Sequence, residues 1–310
     1  MFLEGGIYVS KISFLDNALQ GKHTKGSYLL TIGITLIGGT FASILFIVLL
    51  MVAYVLTFRT PGLESQINLL LYNPLLLLVI IGVSYGIFAL LFYLCIRLIH
   101  KKKFISLINT GKKINLIRIL KGAGLWASIM AIYTLISLIY NDGSLSFNFN
   151  PVPLLYLLIL SFLVFPLQAS FEEIFFRGYL MQGLGLLSEK PVVPLILTTL
   201  IFGLIHFYNG TDITMSISIV LSALILGLML GIIVLGENGL ETAMGVHIAN
   251  NMFIALFLNS SDSGLGGLPS LITAQSTDSF SGIPVLILMA ATMLIIIFWN
   301  KKEDFLRIFK

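Results

Sequence analysis

Residues 153–187 read PLLYLLILSFLVFPLQASFEEIFFRGYLMQGLGLL, and this stretch decides the fold. Its only charged residues are Glu172, Glu173 and Arg177. A membrane-spanning helix needs about 20 apolar residues, so the stretch can cross a bilayer but is too long to stand upright in it. We therefore expect a membrane helix that tilts, breaks or extends beyond the bilayer, with ionisable groups inside it.

The rest of the chain has the same character. Of its 310 residues, 57% are hydrophobic and 10% are charged, whereas soluble domains carry about 25% charged residues. This composition excludes a soluble globular domain, a disordered chain and a disulfide scaffold. The single cysteine, Cys95, excludes an internal disulfide and a cysteine-based metal cluster. The sequence predicts an all-α, polytopic protein of the cell membrane.

About eight transmembrane helices fit the hydropathy pattern, between short loops. A cytoplasmic N-terminal segment, 1–27, precedes a transmembrane domain, 28–300, and a cytoplasmic tail, 301–310, ends the chain. The predicted helices lie at 28–57, 74–99, 122–140, 153–187, 191–207, 215–235, 242–258 and 283–299.

The basic residues orient this arrangement. With both termini in the cytoplasm, only Arg59 of the 18 lysines and arginines falls on the outer side, which is the positive-inside pattern. The basic loops then meet anionic lipid, so no nucleic-acid partner is needed. Two further segments, Ile12 to Leu19 and Lys101 to Lys121, are predicted to lie on the membrane surface as amphipathic helices.

Ionisable or strongly polar residues occur inside only three of the predicted helices. Because a charge at bilayer depth is costly, such residues are candidates for function. Their restriction to three helices favours one shared cavity, opening to the cytoplasm. The residues are Glu172, Glu173 and Arg177 in the fourth helix, His206 in the fifth, and His247, Asn250 and Asn251 in the seventh.

Helix geometry gives these residues different positions. Glu173 and Arg177 are four residues apart and are expected to pair on one face. Glu172 is turned about 100° away, has no partner on its own helix by this reasoning, and is a candidate general base. His247 and Asn251 share a face, whereas Asn250 points elsewhere.

Structural interpretations stand beside the functional one. In the structural interpretation, a buried Glu173–Arg177 salt bridge only stabilises helix packing. An isolated intramembrane histidine often only donates a hydrogen bond between helices. Gly227 and Gly231 form a small-xxx-small pattern that predicts close helix packing.

Three motifs in order, Glu172-Glu173-x-x-x-Arg177, Phe202-x-x-x-His206 and His247-x-x-x-Asn251, resemble those of the CPBP family of CAAX-processing and bacteriocin-processing intramembrane proteases. The resemblance covers about 170–255, within a family-like core at about 150–260. It implies that Glu172 and His206 activate a water and that His247 and Asn251 bind the tetrahedral oxyanion. It also implies that Glu173, Arg177 and Phe202 support the site.

Several alternatives remain open at this stage. A zinc site could use Glu172, His206 and His247, but there is no His-Glu-x-x-His motif, and we favour a mechanism without a cofactor. The resemblance implies a bacterial or archaeal enzyme and a peptide or lipidated-peptide substrate, such as a prenylated tail, a bacteriocin or a signal peptide. Non-enzymatic bacteriocin immunity and proton-coupled transport are the competing functions, and the oligomeric state is left open.

Overall fold

The computed structural model describes residues 12–58, 73–140, 145–274 and 278–310. Residues 1–11 of the predicted N-terminal segment and Arg59 lie outside this range. The described helices are α1 (Ser13–Asp16), α2 (Lys25–Gly33, Ile34–Gly38 and Gly39–Phe58), α3 (Pro74–Leu98), α4 (Leu116–Ile139), α5 (Pro151–Glu173, Ile174–Leu180 and Met181–Gly185), α6 (Val192–Ile205), α7 (Ile213–Glu237), α8 (Glu241–Leu256), α9 (Gly282–Phe298) and α10 (Lys302–Leu306). The strands are β1 (Leu145–Phe147), β2 (Leu258–Ser260) and β3 (Ile272–Ala274).

Helices α2 to α9 correspond to the eight predicted segments, which confirms the all-α polytopic membrane fold. Six of them, α2 to α7, are long and apolar enough to cross a bilayer. The other two are shorter, with 16 residues in α8 and 17 in α9. Helix α8 is buried along most of its length, so it does not need the apolar surface of a helix that faces lipid.

Local signals explain where several helices begin. The Asn73 side chain accepts from the N–H groups of Leu75 and Leu76, at 3.1 Å each, and Pro74 opens helix α3. Asn115 caps α4 in the same way, which explains why this helix begins six residues earlier than the predicted start at 122. An N-cap asparagine satisfies N–H groups that have no partner inside the helix.

The loops meet at two opposite ends of the bundle. At one end, β3 pairs antiparallel with β1 and parallel with β2, and we call this the strand end. At the other end, the N–H of Phe14 donates to Asn238 at 3.1 Å. The Arg307 guanidinium there donates to the carbonyl of Gly236 at 2.7 Å. Both described terminal segments therefore lie at this second end, as an even number of crossings requires.

The two predicted surface helices are wrong. Residues 13–19 form short turns with Ile12, Phe14 and Leu15 buried in the main apolar core. In the segment from 101 to 121, only a 3₁₀ turn at Phe104–Leu107 precedes α4. Lys102 there is buried and donates to the carbonyl of Asn17 at 3.1 Å. Phe14 and Leu15 of the first segment and Leu107 and Ile108 of the second are buried in the bundle, whereas the apolar residues that open α4, such as Leu116, are exposed.

The small-residue pattern on α7 packs against α6, as predicted. A Cβ atom on Gly227 would lie 3.1 Å from the ring of Phe202 and 3.2 Å from the guanidinium of Arg177. A Cβ atom on Gly231 would overlap Leu195. The two glycines let α7 approach the helices that carry the ionisable residues.

Candidate active site

Helix α5 changes its winding directly after the paired glutamates. It is α-helical up to Glu173 and π-helical from Ile174 to Leu180, and then returns to an α-helical turn. The long fourth segment is therefore one continuous helix and not two. A π-helical stretch redirects the side chains that follow it and is frequent at functional sites. Here it buries Phe175, Phe176 and Tyr179 in the core.

Glu173 and Arg177 form the predicted ion pair. A guanidinium nitrogen donates to Glu173 Oε1 at 2.7 Å, and both side chains are completely buried. The second terminal nitrogen of Arg177 donates to the carbonyl of Gly227 at 3.2 Å, and the guanidinium lies 4.2 Å above the ring of Phe202. The pair therefore ties α5 to both α6 and α7.

Glu172 lies beside this pair and has partners that helix geometry did not predict. Its Oε1 accepts a short hydrogen bond from the hydroxyl of Tyr85 and another, at 2.8 Å, from the amide of Gln168. Gln168 stands one turn earlier on α5, so the expectation that Glu172 lacks a partner on its own helix is wrong. The residue is 3% exposed, and its Oε2 accepts no hydrogen bond from the described residues.

His247 joins the two carboxylates. Its Nδ1 lies 2.8 Å from Glu173 Oε1, and its Nε2 lies 3.6 Å from Glu172 Oε2. The histidine is 2% exposed. One imidazole of α8 therefore bridges both acids of α5, which brings the first and third predicted motifs into contact.

The second motif reaches the cluster through Phe202. The Phe202 ring lies 4.6 Å from the ring of His206 and 5.8 Å from the ring of His247, between centroids. His206 Nδ1 lies 2.6 Å from the carbonyl of Phe202. Within the described contacts, none joins His206 directly to Glu172. His206 is half-buried, just after α6 ends.

Asn251 contacts Glu172 indirectly. Its amide nitrogen donates to Gln168 Oε1 at 2.9 Å, and Gln168 in turn donates to Glu172. Asn250, which was expected to point elsewhere, donates to Asn251 Oδ1 at 3.1 Å and accepts from the indole of Trp126 at 3.2 Å.

Tyr85, Gln168 and Trp126 were missed from the sequence. Gln168 could have been found, because it precedes Glu172 by one helical turn. Tyr85 and Trp126 lie on α3 and α4, whose neighbours in the bundle no local pattern reveals. They are uncharged aromatic residues in apolar helices, so the sequence does not show how deep in the membrane they lie or which neighbouring helix they face.

The zinc alternative would require Glu172, His206 and His247 to share one ion. In the part of the chain that the structure describes, no three His, Cys, Asp or Glu side chains are placed to do so. His206 faces the carbonyl and ring of Phe202, and only His247 contacts the carboxylates. These donors do not fit a shared metal ion, and we derive no step through one.

Part of the chain is similar to known proteins. A family model described as type II CAAX prenyl endopeptidase Rce1-like matches residues 151–253. The chain is also similar to the uncharacterized protein YyaK of Bacillus subtilis (strain 168), with 31% identity over 182 residues, 58% of this chain and 61% of YyaK. It thus spans about three fifths of that relative's length. No solved structure matches. Residues 151–253 carry α5 to α7, most of α8 and every charged side chain of the buried cluster, so the similarity to the Rce1-like family covers the part of the chain that holds the candidate site.

Proposed function

We propose that this chain is an intramembrane endopeptidase in which Glu172 activates a water for attack on a peptide carbonyl. The observation that supports this most directly is the state of its carboxylate. One oxygen is held by Tyr85 and Gln168. The other is buried, accepts no hydrogen bond from described residues, and faces His247 at 3.6 Å. Because Oε2 has no hydrogen-bond donor among the described residues, it can take a proton from a bound water.

His206 is suited to assist as a second base. Its Nδ1 faces the carbonyl of Phe202 at 2.6 Å. A carbonyl oxygen only accepts hydrogen bonds, so Nδ1 carries the proton in the neutral ring and Nε2 keeps its lone pair. The residue is half-buried, and we propose that Nε2 accepts a proton from the reacting water.

His247 and Asn251 are suited to bind the oxyanion. With both glutamates ionised and Arg177 protonated, the cluster carries one net negative charge, and a proton on His247 Nε2 would balance it. That Nε2–H and the amide of Asn251 would then stabilise charge on the carbonyl oxygen. In the reaction, the water oxygen bonds to the carbonyl carbon and its proton passes to Glu172. The C–N bond then breaks, and that proton passes to the leaving amine.

The apolar helices and the similarity to the Rce1-like family support a proposal about the substrate. We propose a peptide or lipidated peptide, cleaved in the membrane of a bacterial or archaeal cell. The family description names a prenyl endopeptidase, so a prenylated C-terminal tail is one candidate, and a bacteriocin or signal peptide is the other. Peptides of the same sequence with and without a farnesyl group distinguish these two.

The test compares site variants with a matched control in proteoliposomes. Glu172→Gln removes the carboxylate, and His206→Ala removes the second base. Glu303→Gln makes the same change on the exposed helix α10, where the side chain is 87% exposed. We expect both site variants to lower cleavage at least about 100-fold and the control to match wild type. Full cleavage by Glu172→Gln would refute the proposal. Bacteriocin protection that survives this substitution would favour a non-enzymatic immunity protein.

A further inference from the structure

A directed row of hydrogen bonds runs from helix α4 to Glu172. Its members come from three helices and are mostly buried, and its four bonds follow one another without a gap. The bonds are Trp126 Nε1 to Asn250 Oδ1 at 3.2 Å, Asn250 Nδ2 to Asn251 Oδ1 at 3.1 Å, Asn251 Nδ2 to Gln168 Oε1 at 2.9 Å, and Gln168 Nε2 to Glu172 Oε1 at 2.8 Å. We call these five residues the amide relay.

The two ends of the amide relay fix its direction. An indole N–H only donates, so Asn250 must turn its oxygen toward Trp126. Each carboxamide has its oxygen on one side and its nitrogen on the other, so the orientation of Asn250 sets that of Asn251 and then of Gln168. At the far end an ionised carboxylate only accepts, which demands the same orientation. Reversing any one amide would place two acceptors or two donors against each other.

This direction determines what Asn251 presents to the reacting group. Its oxygen accepts from Asn250, and its nitrogen donates to Gln168, which in turn donates to Glu172. An amide nitrogen carries two hydrogens, and among the described residues only Gln168 accepts from it. The second N–H is therefore a donor for a developing oxyanion, whereas the reversed amide would present a repelling oxygen.

The residues behind Asn251 are tightly packed. Trp126 is fully buried and Asn250 is 8% exposed. They lie where α4 and α8 come so close that a Cβ atom on Gly245 would overlap the carbonyl of Ile119, and one on Gly122 the carbonyl of Thr242. A buried amide that loses a partner has no water to replace it, so the relay resists rotation of its members.

We propose that Trp126 and Asn250, which lie outside the three motifs, are positioning residues. They hold the Asn251 amide with its nitrogen toward the scissile carbonyl and keep an N–H of Gln168 on Glu172. This inference rests on the proposed peptidase function, and it extends the site to helix α4.

The first test needs no substrate. The chain has two tryptophans, and Trp299 is 69% exposed. In a Trp299→Phe background, the single indole N–H resonance in a ¹⁵N–¹H spectrum reports the bond from Trp126. Asn250→Leu should move this resonance upfield and speed its exchange with deuterium. Ser128→Ala, an exposed change on the same helix, should leave it in place. A resonance that Asn250→Leu does not move overturns the relay, whatever the activity.

The second test uses the peptide cleaved in the Glu172→Gln comparison. Trp126→Phe removes the N–H but keeps an aromatic ring, and we expect kcat to fall about tenfold or more with KM unchanged. Trp299→Phe should match wild type. In Asn250→Asp, a protonated acid can replace the amide, since it accepts from Trp126 and donates to Asn251, whereas a carboxylate cannot donate. The kcat of this variant, relative to wild type, should therefore fall as pH rises.

The outcomes separate the two proposals. Wild-type kcat in both Trp126→Phe and Asn250→Asp, with Glu172→Gln inactive, overturns the positioning role and leaves the peptidase function standing. Full activity of Glu172→Gln overturns the peptidase function and, with it, the role of the relay in catalysis. Circular dichroism establishes that each variant is folded. If Asn250→Asp does not fold, the kcat of Trp126→Phe alone tests the positioning role, because the phenylalanine ring keeps most of the packing of the tryptophan.

Discussion

Replacing Arg177 by methionine should destabilise the protein strongly, because it leaves Glu173 charged and buried. Both side chains of the pair are inaccessible, and their closest atoms are 2.7 Å apart. Breaking a buried pair by removing one partner costs about 3–5 kcal/mol. The lost contact with the Phe202 ring, at 4.2 Å, adds about 1–2 kcal/mol. We therefore expect Arg177→Met to lower the free energy of unfolding by at least about 4 kcal/mol.

Glu173→Gln, combined with Arg177→Met, identifies the origin of this cost. The double variant removes both charges and keeps an oxygen for His247, so it should be more stable than Arg177→Met alone by about 3 kcal/mol. Arg118→Met, an exposed change on α4, is the control and should stay within about 0.5 kcal/mol of wild type.

Unfolding in mixed micelles, followed by circular dichroism against the mole fraction of denaturing detergent, measures all four proteins. The reasoning is refuted if Arg177→Met stays within about 1 kcal/mol of wild type. It is also refuted if the single and double variants are equally unstable, because the cost would then arise from lost packing and not from a buried carboxylate that has lost its guanidinium partner.

Three further predictions concern packing, pH and metal. Gly245→Ala should cost more than about 2 kcal/mol, because its Cβ would overlap the backbone of Ile119, whereas Gly33→Ala, with open space around it, should leave the unfolding midpoint unchanged or higher. Burial lowers the pKa of His100 below its usual 6.5, so the unfolded chain binds the proton first and stability falls as pH drops below 6.5. Hydrogen exchange of residues 12–24 at pH 7.5 and 5.5 should show this loosening in wild type and not in His100→Gln. Chelators should leave peptide cleavage unchanged, and loss of activity that zinc restores would contradict the mechanism without a metal.

Sequence reasoning located the charged centre of the site better than its polar surroundings. The spacing of Glu173 and Arg177 was enough to predict their pair, because four residues return to the same face within one helix. The bond from Tyr85 to Glu172 was beyond such reasoning, because it depends on how α3 packs beside α5. The same holds for Trp126 and Asn250, which meet only because α4 and α8 lie in close contact.

The ends of the bundle show a similar limit. Residues 12–19 and 101–121 were predicted to form helices on the membrane surface, but Phe14, Leu15 and Leu107 are buried in the bundle, and residues 116–121 are the first turns of α4. Lys102 illustrates the difficulty. From the sequence, its positive charge predicts a contact with anionic headgroups. In the structure it is buried against Asn17 and Gln182. Burial lowers its pKa from 10.5 to about 8. Local composition does not reveal that two loops cover each other.

Helix α8 also has a consequence for how the protein is made. With 16 residues that include Glu241, His247, Asn250 and Asn251, it is poorly able to enter a bilayer alone, because polar groups at depth oppose insertion. Its polar atoms find partners on α4 and α5, which emerge from the ribosome earlier. We therefore expect α8 to insert into the membrane only when it can pack against α4 and α5, which are already inserted. The cluster would then be completed only after α4 and α5 are in the membrane.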